Sequence, residues 1–212
     1  MTMTDKKIKI LHLFYLLGGV GTSIELIVRN TDEKQFEHVV INGSANSDDS
    51  LFKGMGKVYN LDLDREIRPF QDLKLLLKLI KICKKEKPDL IHAHSAKAGI
   101  LGKIAAFITG NHCLHTPQAY SFLSTQNKFK KKLYLFIEKA LKILPHKILA
   151  SSQSEAHRAL NDVGYTGKRV LTFPNAINPI NEFPDLSINK TWPDKYICTV
   201  GRPSYQKNIE LM

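Results

Sequence analysis

The most prominent candidate ligand-binding segment is a glycine run, Gly18-Gly19-Val20-Gly21, which follows the apolar stretch at residues 10–17. Glycines let the backbone approach a ligand, and a helix that starts there offers free N–H groups to a phosphate or carboxylate. The run matches neither common nucleotide motif, because Ile24 replaces the third glycine of a dinucleotide fingerprint and no Gly-Lys-Ser/Thr follows. Two interpretations stay open: a tight turn capped by Thr22 or Ser23, and the wall of a phosphate- or sugar-binding cleft.

Two histidines, His92 and His94, are two residues apart in a predicted strand, so their side chains share one face of it. Such a pair supplies two metal ligands, whereas zinc sites in proteins use at least three protein ligands. The sequence indicates no third ligand, and we therefore predict no metal site. His92 is expected in the core, and His94 is expected at the carboxyl end of the strand, where open α/β sheets bind ligands.

Two further polar residues follow predicted strand ends. Lys97 lies in the first turn of a helix, where a cation opposes the helix dipole, so it is either solvated or placed to meet an anion. Gln118 lies in the loop after the next strand. A glutamine both donates and accepts hydrogen bonds but cannot act as a general base.

Three consecutive lysines, Lys130, Lys131 and Lys132, lie in a long predicted helix over residues 128–144. They either form a solvated face or contact anionic lipid headgroups, each lysine contributing about 1 kcal/mol near the surface. The helix also carries an apolar stripe that we expect to face the core. The stripe consists of Phe129, Leu133, Phe136, Ile137, Ala140, Leu141 and Leu144.

The composition is that of an ordinary globular protein, with 212 residues, 43% hydrophobic and 24% charged. The net charge of +11 favours a polyanionic partner such as a membrane or phosphorylated ligands. Nucleic acid is not expected, since no groove-reading motif is present. Three cysteines without a CxxC pair indicate reduced thiols. The lysine-rich, apolar start resembles a secretory signal, but the run is short and contains His12, so we predict a first strand.

Strand and helix patterns alternate along the chain, which predicts βαβ units and a parallel sheet. Predicted strands cover residues 7–17, 38–42, 57–63, 89–94, 113–116, 147–151 and 169–173. Predicted helices cover residues 22–30, 71–87, 96–108, 128–144 and 152–163. In the second helix, Leu73, Leu76, Leu77 and Ile80 are expected to face the core.

The composition changes at Pro174. Residues 1–174 are predicted to form one α/β domain, and the proline- and asparagine-rich residues 175–194 an interdomain linker. Residues 195–212 read as the first strand and helix start of a second domain. So short a piece cannot bury a core, so it either begins a longer domain or docks on another surface.

The segment YICTVGRPSYQKNIELM at residues 196–212 resembles the opening of the donor domain in family-4 glycosyltransferases, which are retaining enzymes of the GT-B fold. In that family an arginine and a lysine five residues apart hold the diphosphate of a nucleotide sugar. The matching residues are Arg202 and Lys207, and fixed cations suit a diphosphate leaving group. Other segments resemble the family in the same order: the glycine run with Glu25, DLIHAHSAKAGILGKIAA, HTPQAYSF, ILASSQSE and FPNAIN.

The resemblance implies a Rossmann-like parallel sheet with helices on both faces, the N-terminal half of a GT-B fold. It implies transfer of a sugar from a UDP- or GDP-sugar to a glycan, expected to be lipid-linked, in capsule or other surface polysaccharide synthesis. The implied place is the cytoplasmic face of the membrane, and no cofactor is implied. Gly18 and Gly19 would line the cleft, and His94, Lys97 and Gln118 would face the acceptor or the donor sugar. No catalytic residue is identified.

The chain departs from the family pattern at three places. Gln118 replaces a histidine that contacts the donor sugar, and Ala176 and Asn178 replace a hinge glycine and aspartate. The family's paired donor-binding glutamates do not occur before Met212, so we expect the isolated chain to be inactive.

Two other interpretations remain. The chain could be a non-catalytic, acceptor-binding and membrane-docking subunit whose partner chain supplies the donor site; Arg202 and Lys207 argue against this. It could also be a nucleotide-sugar epimerase of the same shape, against which the polysaccharide-transferase character of residues 89–122 argues.

Overall fold

A computed structural model describes residues 6–15, 18–43, 56–63 and 66–177, and the single positions 52, 54, 179 and 195. The strands are β1 (Ile8–Phe14), β2 (Phe36–Asn42), β3 (Lys57–Asn60), β4 (Leu90–His94), β5 (His112–Thr116), β6 (Lys147–Ala150) and β7 (Val170–Thr172). The helices are α1 (Gly19–Asn30), α2 (Pro69–Glu86), α3 (Ala96–Thr109), α4 (Lys128–Leu141) and α5 (Gln153–Arg158), the last continuing as a π turn over Ala159–Val163. Every strand and helix predicted before residue 174 is present.

All seven strands are parallel, in the order β3-β2-β1-β4-β5-β6-β7. The chain runs from β1 to β2 on one side of the sheet, and from β4 to β5 on the other side. The loops after these two strands therefore diverge and leave a crevice at their carboxyl ends, which is where open α/β sheets bind ligands. The predicted parallel, Rossmann-like sheet is confirmed.

Side-chain alternation along the central strands builds a core on each face of the sheet. On one face, Leu11 and Leu13 of β1 pack with buried residues of α2 and α3. On the other face, Phe14 packs with Ile24 and Val28 of α1. The prediction of helices on both faces is thus confirmed, and α3 and α1 flank the crevice from opposite sides.

The predicted core face of α2 was wrong for two leucines. Leu73 and Leu77 are 56% and 53% exposed, whereas Leu75 and Leu79 are buried. Four leucines between positions 73 and 77 surround the helix and cannot all face one way. The sheet selects the face that continues at four-residue spacing to Cys83, and Leu76 and Ile80 are only partly buried against it.

The apolar stripe of α4 is also not the core face that its spacing predicts. Phe129 is 76%, Phe136 67% and Leu133 40% exposed. The inward face instead carries Glu138, whose carboxylate meets the ammonium of Lys103 on α3 at 2.9 Å with both side chains buried. Tyr134 and Leu135 pack against the core from the same inward face, so the stripe points outward.

In the part of the chain that the structure describes, no helix combines the length and the hydropathy needed to cross a membrane.

The expected linker over residues 175–194 and the expected second-domain start lie outside the described residues, apart from positions 175–177, 179 and 195. Asn178, Arg202 and Lys207 also lie outside the described residues.

Candidate active-site cleft

A cleft of about 440 Å³ opens at the carboxyl ends of β1, β4 and β5. Each strand contributes the residues that directly follow it, because parallel strands end at the same edge of the sheet. The lining residues include Tyr15, Val20, Ala96, Lys97, Gln118 and Lys130. The sheet thus brings together the segments that the sequence analysis identified separately.

The glycine run forms the start of α1 beside this cleft. Gly18 has φ +54°, and α1 begins at Gly19 without a side-chain cap. The predicted cap by Thr22 or Ser23 was wrong, since the Ser23 hydroxyl instead donates to the Gly19 carbonyl at 2.8 Å. A Cβ at either Gly18 or Gly19 would meet nothing within 4 Å among the described residues. Val20 lines the cleft itself, whereas Gly19 lines an adjoining cavity, so the uncapped start of α1 lies between the two spaces.

Gln118 lies where the cleft meets two neighbouring cavities, and it lines all three. Gln118 and Ala119 have φ values of +50° and +77°, a left-handed backbone that costs non-glycine residues free energy. The buried Oε1 atom of Gln118 finds no hydrogen-bond partner among the described residues. A buried acceptor in this state can bind a ligand hydroxyl or N–H group.

The strained loop is held by Glu155, a residue whose role the sequence alone did not reveal. Its two carboxylate oxygens accept hydrogen bonds from the Ala119 N–H at 2.8 Å and from the Ser151 N–H at 2.7 Å. The Ser152 hydroxyl in turn accepts from the N–H of Glu155 at 3.1 Å and caps α5. Glu155 is therefore a positioning residue for Gln118.

Replacing Ala119 with glycine is expected to stabilise the protein. Relief of left-handed strain is worth about 1–2 kcal/mol, and the greater freedom of glycine in the unfolded chain offsets about half of that. Denaturant unfolding should show a net gain of roughly 0.5–1 kcal/mol. The control is Ala140→Gly on the exposed face of α4, which should lose about 1 kcal/mol. Losses of equal size in both variants would mean that Ala119 carries no strain.

Lys97 has an anionic partner within the protein and is not simply solvated. Its ammonium lies 2.6 Å from the Asp72 carboxylate of α2 and also donates to the Glu66 carbonyl. Asp72 offsets the repulsion between this cation and the start of α3. The lysine still lines the cleft, so its charge is held in place there.

His94 lies beside the cleft rather than in it. Its ring is buried beneath α1, and Nε2 lies 3.4 Å from Nδ1 of His12. It reaches instead a neighbouring cavity of about 560 Å³ between α1 and the segment that follows β7. His92 is buried and pairs with the Thr116 hydroxyl at 2.9 Å, which confirms the prediction of a core histidine.

Residues 17–180 match the sequence profile of Glycosyltransferase Family 4. The match covers the glycine run, the cleft loops and all strands from β2 to β7. The chain belongs to glycosyltransferase family 4. The family match argues against the epimerase interpretation.

Two curated relatives are similar to this family-4 chain. The UDP-Gal:alpha-D-GlcNAc-diphosphoundecaprenol alpha-1,3-galactosyltransferase of Escherichia coli is 30% identical over 182 residues, covering 84% of this chain and 47% of the relative. The capsular polysaccharide biosynthesis glycosyltransferase CapM of Staphylococcus aureus is 36% identical over 101 residues, covering 47% of this chain and 26% of the relative. The chain therefore spans about half or less of their length.

The fold also matches solved structures. Anabaena HepE in complex with UDP and glucose aligns with a TM-score of 0.60 at 19% identity, covering 80% of this chain and 45% of HepE. At this identity the likeness shows the fold alone.

Proposed function

We propose that the protein transfers a sugar from a nucleotide diphosphate sugar to a lipid-linked glycan in the synthesis of a bacterial surface polysaccharide. The described domain forms the acceptor side of the site. The observation that carries the proposal is the open cleft at the carboxyl ends of β1, β4 and β5 in a family-4 chain. The names of the relatives support the acceptor class, since one acts on a diphosphoundecaprenol-linked sugar and another makes capsule.

The cleft offers groups suited to this chemistry. An acceptor hydroxyl attacks the sugar carbon while the nucleoside diphosphate leaves, and negative charge builds up on the leaving oxygen. The start of α1 has no side-chain cap and reaches the cleft at Val20, and uncapped N–H groups at a helix start favour an anion. The unpaired Gln118 Oε1 can accept from a sugar hydroxyl, and Lys97 supplies a fixed positive charge.

The donor side is proposed to come from the domain that residues 195–212 begin. Arg202 and Lys207 would hold the donor diphosphate, and the reaction would retain the configuration of the sugar carbon, as the family resemblance implies. No cofactor beyond the UDP- or GDP-sugar is proposed. Without the donor surface, the 212-residue chain should bind the acceptor but not turn over a donor.

Transfer is measured with isotopically labelled UDP- and GDP-sugars and membranes from the source cells, which supply the native acceptor. The gene's complete product should move label from one donor into a lipid-extractable product, and the 212-residue chain should not.

Arg202→Ala or Lys207→Ala should reduce the rate of the complete product at least 100-fold, about 2.7 kcal/mol of transition-state stabilisation. Absence of transfer from every donor would overturn the proposed function. If activity requires a separately encoded chain, the split-subunit interpretation is the correct one.

We also propose that α4 rests on an anionic membrane at the cytoplasmic face. Phe129, Leu133 and Phe136 are exposed on its outward face, and the adjacent lysines at positions 130–132 are exposed around the same turn, Lys130 also lining the cleft. A helix that places aromatic and aliphatic side chains beside lysines fits the interface of an anionic bilayer. The exposed stripe favours this interpretation over a merely solvated face, and docking there would keep the cleft near a lipid-linked acceptor.

Neutralising Lys130, Lys131 and Lys132 with glutamine should weaken binding to vesicles of anionic lipid. At about 1 kcal/mol per lysine, the loss is roughly 100-fold, and added salt should shrink it. Vesicle co-sedimentation measures the effect. The matched control changes three scattered lysines, Lys34, Lys84 and Lys168, to glutamine, and equal weakening by this control would mean that the net charge alone drives binding.

A further inference from the structure

Three buried histidines meet on the face of the sheet that α1 covers. His12 of β1 is the register partner of His92 on β4, and His94 lies two residues further along the same strand. All three are at most 5% exposed. One ring nitrogen of each lies within 4.8 Å of those of the other two. The adjacent strand thus supplies the third ligand that the sequence did not reveal.

The separation between two of these rings suits a metal ion. Nδ1 of His12 and Nε2 of His94 are 3.4 Å apart. Two nitrogens bound at about 2.0–2.1 Å in a tetrahedral site lie roughly 3.3 Å from each other. The two rings therefore need little movement to bind one ion together.

A hydrogen-bond chain orients His12 for this role. The Thr31 hydroxyl donates to the Val28 carbonyl at 3.1 Å, so its oxygen accepts from Nε2 of His38 at 2.6 Å. Nδ1 of His38 then accepts from Nε2–H of His12 at 3.1 Å. The remaining lone pair of His12 is on Nδ1, which is the atom beside His94. Histidines that bind metals typically donate their other N–H to such an outer partner.

His92 also has an outer partner, whereas Nδ1 of His94 has none among the described residues, and both rings have an entry path for an ion. Nε2 of His92 pairs with the Thr116 hydroxyl at 2.9 Å, which leaves its Nδ1 for a metal. His92 and His94 both line the cavity of about 560 Å³ beneath α1, so an ion and a fourth ligand can enter from there.

We propose that His12, His92 and His94 bind Zn²⁺, with a water molecule from the cavity as the fourth ligand. Three imidazoles without a carboxylate favour zinc and its transition-metal neighbours over Mg²⁺ or Ca²⁺. The ion would join β1 to β4 at the crevice and stabilise the folded state, since it binds the folded chain more tightly than the unfolded one. It takes no part in sugar transfer.

The test uses the untagged 212-residue chain after treatment with a chelator. Calorimetric titration with Zn²⁺ should show one equivalent bound, and Co²⁺ should give the intense visible bands of a tetrahedral site. His94→Asn should weaken Zn²⁺ at least 100-fold, and His38→Gln, which removes only the outer partner, about 10- to 100-fold. The matched control is His115→Asn, because His115 is equally buried but bonds the Ser95 carbonyl and should leave affinity unchanged.

A second measurement needs no variant that must fold. X-ray absorption of the Zn²⁺-loaded chain should show three imidazole nitrogens in the first coordination sphere. Fewer than three imidazoles would overturn the proposal. So would the lack of one-equivalent Zn²⁺ binding, or equal affinity in the His94→Asn and His115→Asn proteins.

Discussion

Replacing Glu138 with alanine is expected to lower the free energy of unfolding by about 3–5 kcal/mol, the typical cost of breaking a buried ion pair. Glu138 and Lys103 are 2% and 1% exposed, and their charged atoms are 2.9 Å apart. Removing the carboxylate leaves a buried ammonium without its counter-charge. Denaturant unfolding followed by circular dichroism measures the loss.

Two controls separate this effect from general damage to α4. The double variant Lys103→Met/Glu138→Leu removes both charges and should be far more stable than Glu138→Ala, because no buried charge is left unpaired. The exposed pair between Arg158 and Asp162, also 2.9 Å apart, should lose less than about 1 kcal/mol in Asp162→Ala. A loss at Glu138 no larger than at Asp162 would show that the buried pair does not hold α4.

Mild acid should unfold the protein steeply in the presence of a chelator. Burial lowers the pKa of His92 and His146 to about 3 and holds three further histidines well below their ordinary value. The three are His12, His94 and His115. Below about pH 6.5 the unfolded chain therefore binds protons that the folded chain does not bind. The free energy of unfolding is at its full value above that pH and falls as the pH decreases.

The size of this effect follows from the number of protons. Each histidine contributes about 1.4 kcal/mol per pH unit, and five together approach roughly 7 kcal/mol per unit, against a total stability of about 5–15 kcal/mol. Unfolding between about pH 6 and 5 is the expected result. Carboxylates with a lowered pKa, such as Glu86 beside Tyr59 and Lys57, add their loss only below about pH 4.5.

The slope of stability against pH is the decisive quantity, because it counts protons and does not depend on the baseline stability of a variant. His146→Asn should reduce the slope by about one proton. A flat profile between pH 7 and 5 would contradict the burial of these rings.

The order of the elements could be predicted from the sequence because it depends on local patterns. Alternating apolar runs, Pro88 and the glycine turns mark the seven strands and five helices. Local patterns placed the glycine run, Lys97 and Gln118 directly after strand ends, and the family resemblance implied that they lie at a cleft. The strand-end positions need only the spacing of residues along the chain, whereas the cleft positions came from the resemblance.

What the sequence did not predict depends on contacts between distant residues. The inward face of α4 holds Glu138, which pairs with Lys103, a residue 35 positions away. The partners Asp72 for Lys97 and Glu155 for Ala119 lie on other elements. His12 joins His92 and His94 only because β1 and β4 are neighbours in the sheet. No periodicity in one segment encodes such pairs.

Sugar transfer is proposed to take place in the cleft at the carboxyl ends of β1, β4 and β5. The most direct measurement is the transfer rate of the gene's complete product when tryptophan replaces Ala96, which lines that cleft. The control is Lys84→Trp on the exposed surface of α2, near the amino ends of the strands and away from the cleft. We expect Ala96→Trp to lose at least 100-fold in rate while its unfolding transition is retained, and Lys84→Trp to keep the rate of the unaltered protein. A folded Ala96→Trp protein that transfers sugar at the unaltered rate would contradict the claim.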